Sequence, residues 1–266
     1  MDLLSFVQSL ILGVVEGLTE FLPISSTGHL IIAGDLLHYT GEQAKTFEIV
    51  IQLGAILAVC WHYRQRLLRV VSGLGSDAGA WRFVLNLVVG VIPSAVCGLA
   101  LHKLIKAHLF NPVVVSLALI VGGLIIFAVE RRERTPRITD VDQMGWQDAF
   151  KLGCAQVFSL IPGTSRSGAT IIGGMLFGLS RQAATEFSFF LAIPTMFLAT
   201  GYDVLKSWQS LGDVDVAFFA VGFVTAFFSA LLAIKGLIRY VAHHDFRLFA
   251  WYRVIFGALA LVYFLR

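Results

Sequence analysis

Polar positions are so sparse along the 266-residue chain that the apolar runs between them define its elements. Six runs, 47–63, 83–101, 112–129, 187–202, 216–234 and 248–265, each predict a helix. At 1.5 Å per residue the longer ones cover roughly 28 Å, enough to cross the hydrocarbon core of a bilayer. Two further apolar stretches, 3–37 and 149–180, are broken in the middle by polar residues and a proline, so neither reads as one continuous span. The pattern predicts an all-α polytopic membrane protein with six transmembrane helices and two re-entrant, broken-helix segments.

The two broken stretches resemble each other. Leu12-Gly13-Val14-Val15-Glu16 matches Leu152-Gly153-Cys154-Ala155-Gln156 at an offset of 140, and Pro23 with Ser25-Ser26 matches Pro162 with Thr164-Ser165 at 139. Ala44-Lys45-Thr46 matches Ala183-Ala184-Thr185, and weaker echoes pair Gly90 with Gly222 and Gly122 with Gly257. The chain thus reads as one integral membrane domain, 1–266, built from two repeats, 1–133 and 134–266. Each holds a broken segment followed by three spans. Three is odd, so the second repeat is expected to be inverted relative to the first.

Composition and charge agree. Counting Gly and omitting Tyr, roughly 64% of residues are apolar, against about 45–50% in soluble domains, and only 14% are charged. A net charge of +3 gives no reason to expect a nucleic-acid partner. The basic residues are placed unevenly. If residues 64–82, 130–151, 181 and 235–247 are cytoplasmic, that side holds Arg64, Arg66, Arg69, Arg82, Arg131, Arg132, Arg134, Arg137, Lys151, Arg181, Lys235, Arg239 and Arg247. Lys45, Lys103, Lys106, Lys206 and Arg266 fall outside, and Arg166 and Arg253 stay at membrane depth. By the positive-inside rule both termini face out. Cys60, Cys97 and Cys154 read as small buried hydrophobes, and the first 15 residues lack the basic region and cleavage site of a removable signal peptide.

Discontinuous helices in inverted repeats place sites for ions and polar substrates near the midplane, so the chemistry is sought in the two breaks. The first offers Glu16 and Glu20, four apart on one helix face, then Pro23 as a helix stop. Ser25, Ser26 and Thr27 are suited to start a new helix, on which His29 lies three residues after Ser26. The second break, Pro162-Gly163-Thr164-Ser165-Arg166-Ser167-Gly168-Ala169-Thr170, combines small residues, hydroxyls and one Arg at a helix start, the groups that a phosphate or pyrophosphate needs. Without an anion, buried Arg166 would need Glu16 or Glu20 as its partner. Taken singly, Ser25, Ser167 and Thr170 read equally as structural, since hydroxyls in membrane helices commonly bond their own backbone. Glu48 and Gln52 share a helix face and belong either to the same cavity or to interhelical bonds; Arg253 reads as half of a structural ion pair.

The stretch from Leu12 to Pro23 through Ser25-Ser26-Thr27-Gly28-His29, together with Pro162 to Thr170, resembles the two signatures of the bacterial undecaprenyl-diphosphatase family, associated with bacitracin resistance. Thr46-Phe47-Glu48 and Glu186-Phe187-Ser188-Phe189 extend the likeness over essentially the whole chain. The generic acid phosphatases that share the substrate are a poorer match: Ile172 stands where their last motif needs a histidine, and the chain has no Arg-Pro dipeptide.

The resemblance implies an enzyme of the bacterial inner membrane, with its site open to the periplasm, that converts undecaprenyl diphosphate to undecaprenyl phosphate and recycles the carrier lipid for peptidoglycan synthesis. Glu16, Glu20, Ser26, His29 and Arg166 are then the expected catalytic residues. Gly163, Thr164, Ser165, Arg166, Ser167, Gly168 and Thr170, with Ser25 and Thr27, are expected to bind the substrate. A divalent cation, Mg²⁺ or Ca²⁺, is expected on Glu16 and Glu20. Ser26 is the expected nucleophile, activated by His29 with Glu20 orienting the imidazole; attack by His29 itself or by water fits the same spacing. Besides the bilayer and the polyprenyl diphosphate lipid, a homodimer is left open as a partner. The rival reading is a prenyl-phosphate flippase or transporter, because inverted repeats also suit alternating access.

Overall fold

A computed structural model describes residues 2–132, 135–207 and 215–265. The repeat boundary at 133–134 and, from the charge count, Arg134 and Arg266 lie outside the described residues. Among the described residues, eleven α-helices follow one another: α1 (Leu3–Glu20), α2 (Ser26–Leu36), α3 (Glu42–His62), α4 (Arg64–Gly73), α5 (Ala78–His108), α6 (Pro112–Glu130), α7 (Trp146–Val157), α8 (Arg166–Leu176), α9 (Arg181–Ser207), α10 (Val216–Val241) and α11 (Arg247–Leu265). Short 3₁₀ turns at Val141–Gln143 and Phe158–Leu160 flank α7.

The six expected spans are α3, α5, α6, α9, α10 and α11. By length and composition α1 is a seventh helix able to cross a membrane, whereas α7, with 12 residues, is too short. The first broken stretch is therefore longer before its break than the second. Both breaks fall where the proline pattern puts them, between α1 and α2 and between α7 and α8. Leu99, Leu232 and Leu259 are each at least 65% exposed, as lipid-facing side chains of such a bundle are.

Helix pairing alternates between the two halves. α1 packs on α10 and α7 on α5, while α6 packs on α11. A side chain added at Gly13 would meet the Gly222 carbonyl, and one added at Gly153 would meet the Gly90 carbonyl. The echoes between Gly13 and Gly153, and between Gly90 and Gly222, are thus two equivalent close crossings, where missing side chains let the backbones touch. The core runs through α3, α9 and α10, with Phe47, Ile51, Phe187, Phe189, Phe190 and Ile234 fully buried. Cys60 and Cys97 are half-buried, but Cys154 is exposed on the outer face of α7 and is not the buried hydrophobe expected of it.

Candidate active site

Each break ends in the same backbone device. Ser25 and Ser165, the residues just before α2 and α8, have φ of 71° and 74°, the left-handed region that non-glycine residues rarely adopt. This corrects the register read from the prolines: Ser25 matches Ser165 at an offset of 140, because the proline stands two residues before Ser25 but three before Ser165. Ser26 and Arg166 are therefore the corresponding first residues of their helices.

These two residues meet on one carboxylate. Ser26 Oγ donates to Glu20 Oε2 at 2.5 Å, and Arg166 Nη2 donates to Glu20 Oε1 at 3.0 Å. Glu20 thus takes up the partner role that a buried Arg166 was expected to require. Arg166 is also held by the Ser188 carbonyl at 3.1 Å and by the Phe21 ring, 5.6 Å from its Cζ. At this site two buried polar atoms, Arg166 Nε and Glu16 Oε1, have no hydrogen-bond partner among the described residues. An unpaired buried donor and an unpaired buried acceptor are each costly unless a ligand meets them. The donor suits an anion. The acceptor, beside the Glu20 carboxylate and charged neighbours Glu48 and Arg166, suits a hard cation. Among the described residues no group of three His, Cys, Asp or Glu side chains forms a ready metal cage, so such a cation would draw further ligands from phosphate and water.

The helix starts supply more donors. Among the described residues, no protein acceptor bonds the N–H groups of Ser26, Thr27 and Gly28 in α2, or of Ser165, Arg166 and Ser167 at α8. Gly168 N–H is capped by Ser165 Oγ at 3.1 Å. Free N–H groups and two helix dipoles converge with Arg166, which is how proteins bind phosphate. Gly163 lets the second break pack closely against α6: its φ is +91°, and an added Cβ would strike the Val115 backbone.

Several expected binding hydroxyls are occupied instead. Ser167 Oγ donates to the Leu22 carbonyl at 2.8 Å, tying the second break to the first. Thr170 Oγ1 bonds the Arg166 carbonyl at 3.0 Å and Ser188 Oγ at 2.6 Å. Ser25 is buried, whereas Thr27 is exposed. Glu48 lines a small pocket with Tyr39, Leu30 and Phe47, and Gln52 makes no hydrogen bond among the described residues.

His29 is not hydrogen-bonded to Ser26. Its Nδ1 lies 2.7 Å from the Ser25 carbonyl, which can only accept, so the proton sits on Nδ1. Its Nε2 then accepts from the Tyr252 hydroxyl at 2.6 Å, and the Phe256 ring stacks on it at 4.2 Å. Both ring nitrogens are used, and the acceptor at Ser26 is Glu20.

Arg253 is the other departure. It is 1% exposed and pairs with no carboxylate among the described residues, contrary to the ion pair expected. It donates to five carbonyls instead: Leu119 and Ala118 of α6 at 3.2 and 3.1 Å, Pro23 of the first break at 3.1 Å, and Gly163 and Thr164 of the second at 3.1 and 2.9 Å. Sequence reasoning missed this role, as it missed Tyr252. The available signal was an unpartnered arginine in an apolar run. A wider cavity lined by Glu130, Arg131, Arg181 and Arg247 lies at the far end of α6, about 16 Å along the helix from Leu119, and takes no part in this site.

The fold and site define a polytopic α-helical membrane protein that holds two broken helices around a carboxylate, a serine and an arginine. The family model described as "Bacitracin resistance protein BacA" matches residues 9–259, and the chain belongs to that family. It is 61% identical over 263 residues to Undecaprenyl-diphosphatase 2 of Rhodospirillum rubrum, covering 98% of this chain and 96% of that one. The undecaprenyl-diphosphatases of Aromatoleum aromaticum and Nitrosomonas europaea are 59% and 58% identical, over 98% of this chain and 95% and 96% of theirs.

Proposed function

We propose that the chain is a membrane hydrolase that removes the terminal phosphate of undecaprenyl diphosphate. The product, undecaprenyl phosphate, returns to peptidoglycan synthesis, and the activity confers bacitracin resistance. Family membership and the names of its relatives support the substrate. The observation that carries the chemistry is Glu20 joining Ser26 to Arg166.

Arg166 and the free N–H groups of α2 and α8 hold the diphosphate and stabilise the charge that develops on its oxygens. Ser26 Oγ attacks the terminal phosphorus as its proton passes to Glu20 Oε2, already at hydrogen-bond distance. The bond from that phosphorus to the bridging oxygen breaks, and its electron pair leaves with undecaprenyl phosphate. Water then attacks the phosphoserine and Glu20 returns its proton to Ser26 Oγ. Both water hydrogens depart with inorganic phosphate as dihydrogen phosphate. His29, fixed between Ser25 and Tyr252, positions the start of α2. A divalent cation on Glu16 and Glu20 would neutralise phosphate charge when bound.

The chain is further read as an inverted duplication with both termini outside, its site opening to the periplasm. The excess of cytoplasmic Lys and Arg and the exchanged pairing of α1 with α10 and α7 with α5 support this. The prenyl tail stays in lipid while the head group enters between helices. Purified protein tests the reading directly. Inorganic phosphate should be released from a prenyl diphosphate, and release should be lost in Arg166→Ala. Binding or transport with no release would overturn it in favour of a flippase.

A further inference from the structure

Arg253 sits behind the site on α11 and touches neither Ser26 nor Glu20, yet it is the one side chain that bonds both breaks and α6 together among the described residues. We propose that Arg253 is a positioning residue for the hydrolysis. Resting on the diphosphate reading above, it sets the direction of the Ser165 N–H and the mutual placement of the two helix starts that receive the phosphate.

The geometry follows from the planar trans peptide, in which the N–H points opposite to the preceding carbonyl. Arg253 Nη1 holds the Thr164 carbonyl at 2.9 Å, so the N–H of Ser165 is turned away from the guanidinium and toward the start of α8. The same guanidinium holds the Gly163 and Pro23 carbonyls, which fixes both breaks against each other. Only a planar fork with five donors reaches all these oxygens at once. Bonding to a cation also strengthens the dipole of each peptide it engages.

A second feature supports this role independently. Gly122 on α6 leaves the slot that the guanidinium fills, because an added Cβ there would collide with Arg253 Nη2 and Cζ. Substitution at either place displaces the same bonds. Arg253→Lys keeps the charge but loses the fork. Gly122→Ala keeps the arginine and introduces the better helix former, so a loss of activity there is not a loss of helix.

The test measures kcat and KM for phosphate release from a prenyl diphosphate, normalised to folded protein by thermal melting in detergent. Arg253→Lys is expected to lower kcat about 100-fold, the usual effect of misplacing reacting groups by about 1 Å, with KM within about threefold of wild type. Gly122→Ala is expected to lower kcat in the same way. If both folded variants keep the wild-type kcat and only melt earlier, Arg253 is structural and the proposal falls. Should Arg253→Lys fail to fold, Gly122→Ala decides alone. A wild-type protein that releases no phosphate would instead refute the hydrolase reading itself.

Discussion

Replacing Glu20 by glutamine separates the charge of this residue from its shape. The carboxylate accepts from Ser26 on one oxygen and from Arg166 on the other. A glutamine amide has one oxygen and one NH₂ group, so it can satisfy one of these donors while presenting a donor to the other. The Arg166 and Glu20 side chains are only 11% and 7% exposed, so solvent cannot replace the lost contact. Removing one partner of such a buried pair typically costs about 3–5 kcal/mol. Arg166 keeps its bond to the Ser188 carbonyl, which places the expected loss near the lower figure. The catalytic effect is separate, because Ser26 loses its base and kcat should fall by about 10²- to 10⁴-fold. Thermal melting in detergent reads the first effect, and phosphate release per folded molecule reads the second. A Glu20→Gln protein that melts as wild type and turns over within about threefold of it would refute both the ion pair and the base.

Arg166→Lys should lower kcat/KM by at least about tenfold in the phosphate-release assay, since one ammonium cannot serve both Glu20 and a phosphate as a guanidinium fork does. Chelation should abolish release and added Mg²⁺ or Ca²⁺ restore it, whereas full activity in excess chelator would remove the cation from the account. Gly163→Ala should destabilise the protein by about 2 kcal/mol or more, from its φ of +91° and the collision with Val115, and so lower the melting temperature. A reporter fused after Gly75, between α4 and α5, should report cytoplasm, and a periplasmic signal there would reverse the proposed topology.

The architecture was legible because lipid imposes long apolar runs. All six expected spans became helices, and both polar interruptions became breaks. The span of α1 was harder to read: Glu16 and Glu20 share one helix face in sequence, but two charges within the stretch hid that the helix before the break is itself long enough to cross a membrane. Proline marked the breaks but misled on register: the second runs one residue further from its proline to the helix start, and the matching φ of Ser25 and Ser165 shows which residues correspond. Spacing along one helix suggested His29 as the partner of Ser26. The observed partner, Glu20, reaches Ser26 from across the break, a contact that depends on how the chain turns at Pro23. Arg253 was least legible, because its carbonyl partners lie on three segments far apart in sequence.

The central claim is that Ser26, activated by Glu20, receives the terminal phosphate. It is tested most directly by rapid acid quenching of wild-type protein with a prenyl diphosphate labelled on that phosphate, followed by mapping of the labelled peptide. The account predicts label on Ser26, and none in Ser26→Ala. Label on His29, or full turnover in Ser26→Ala, would contradict it.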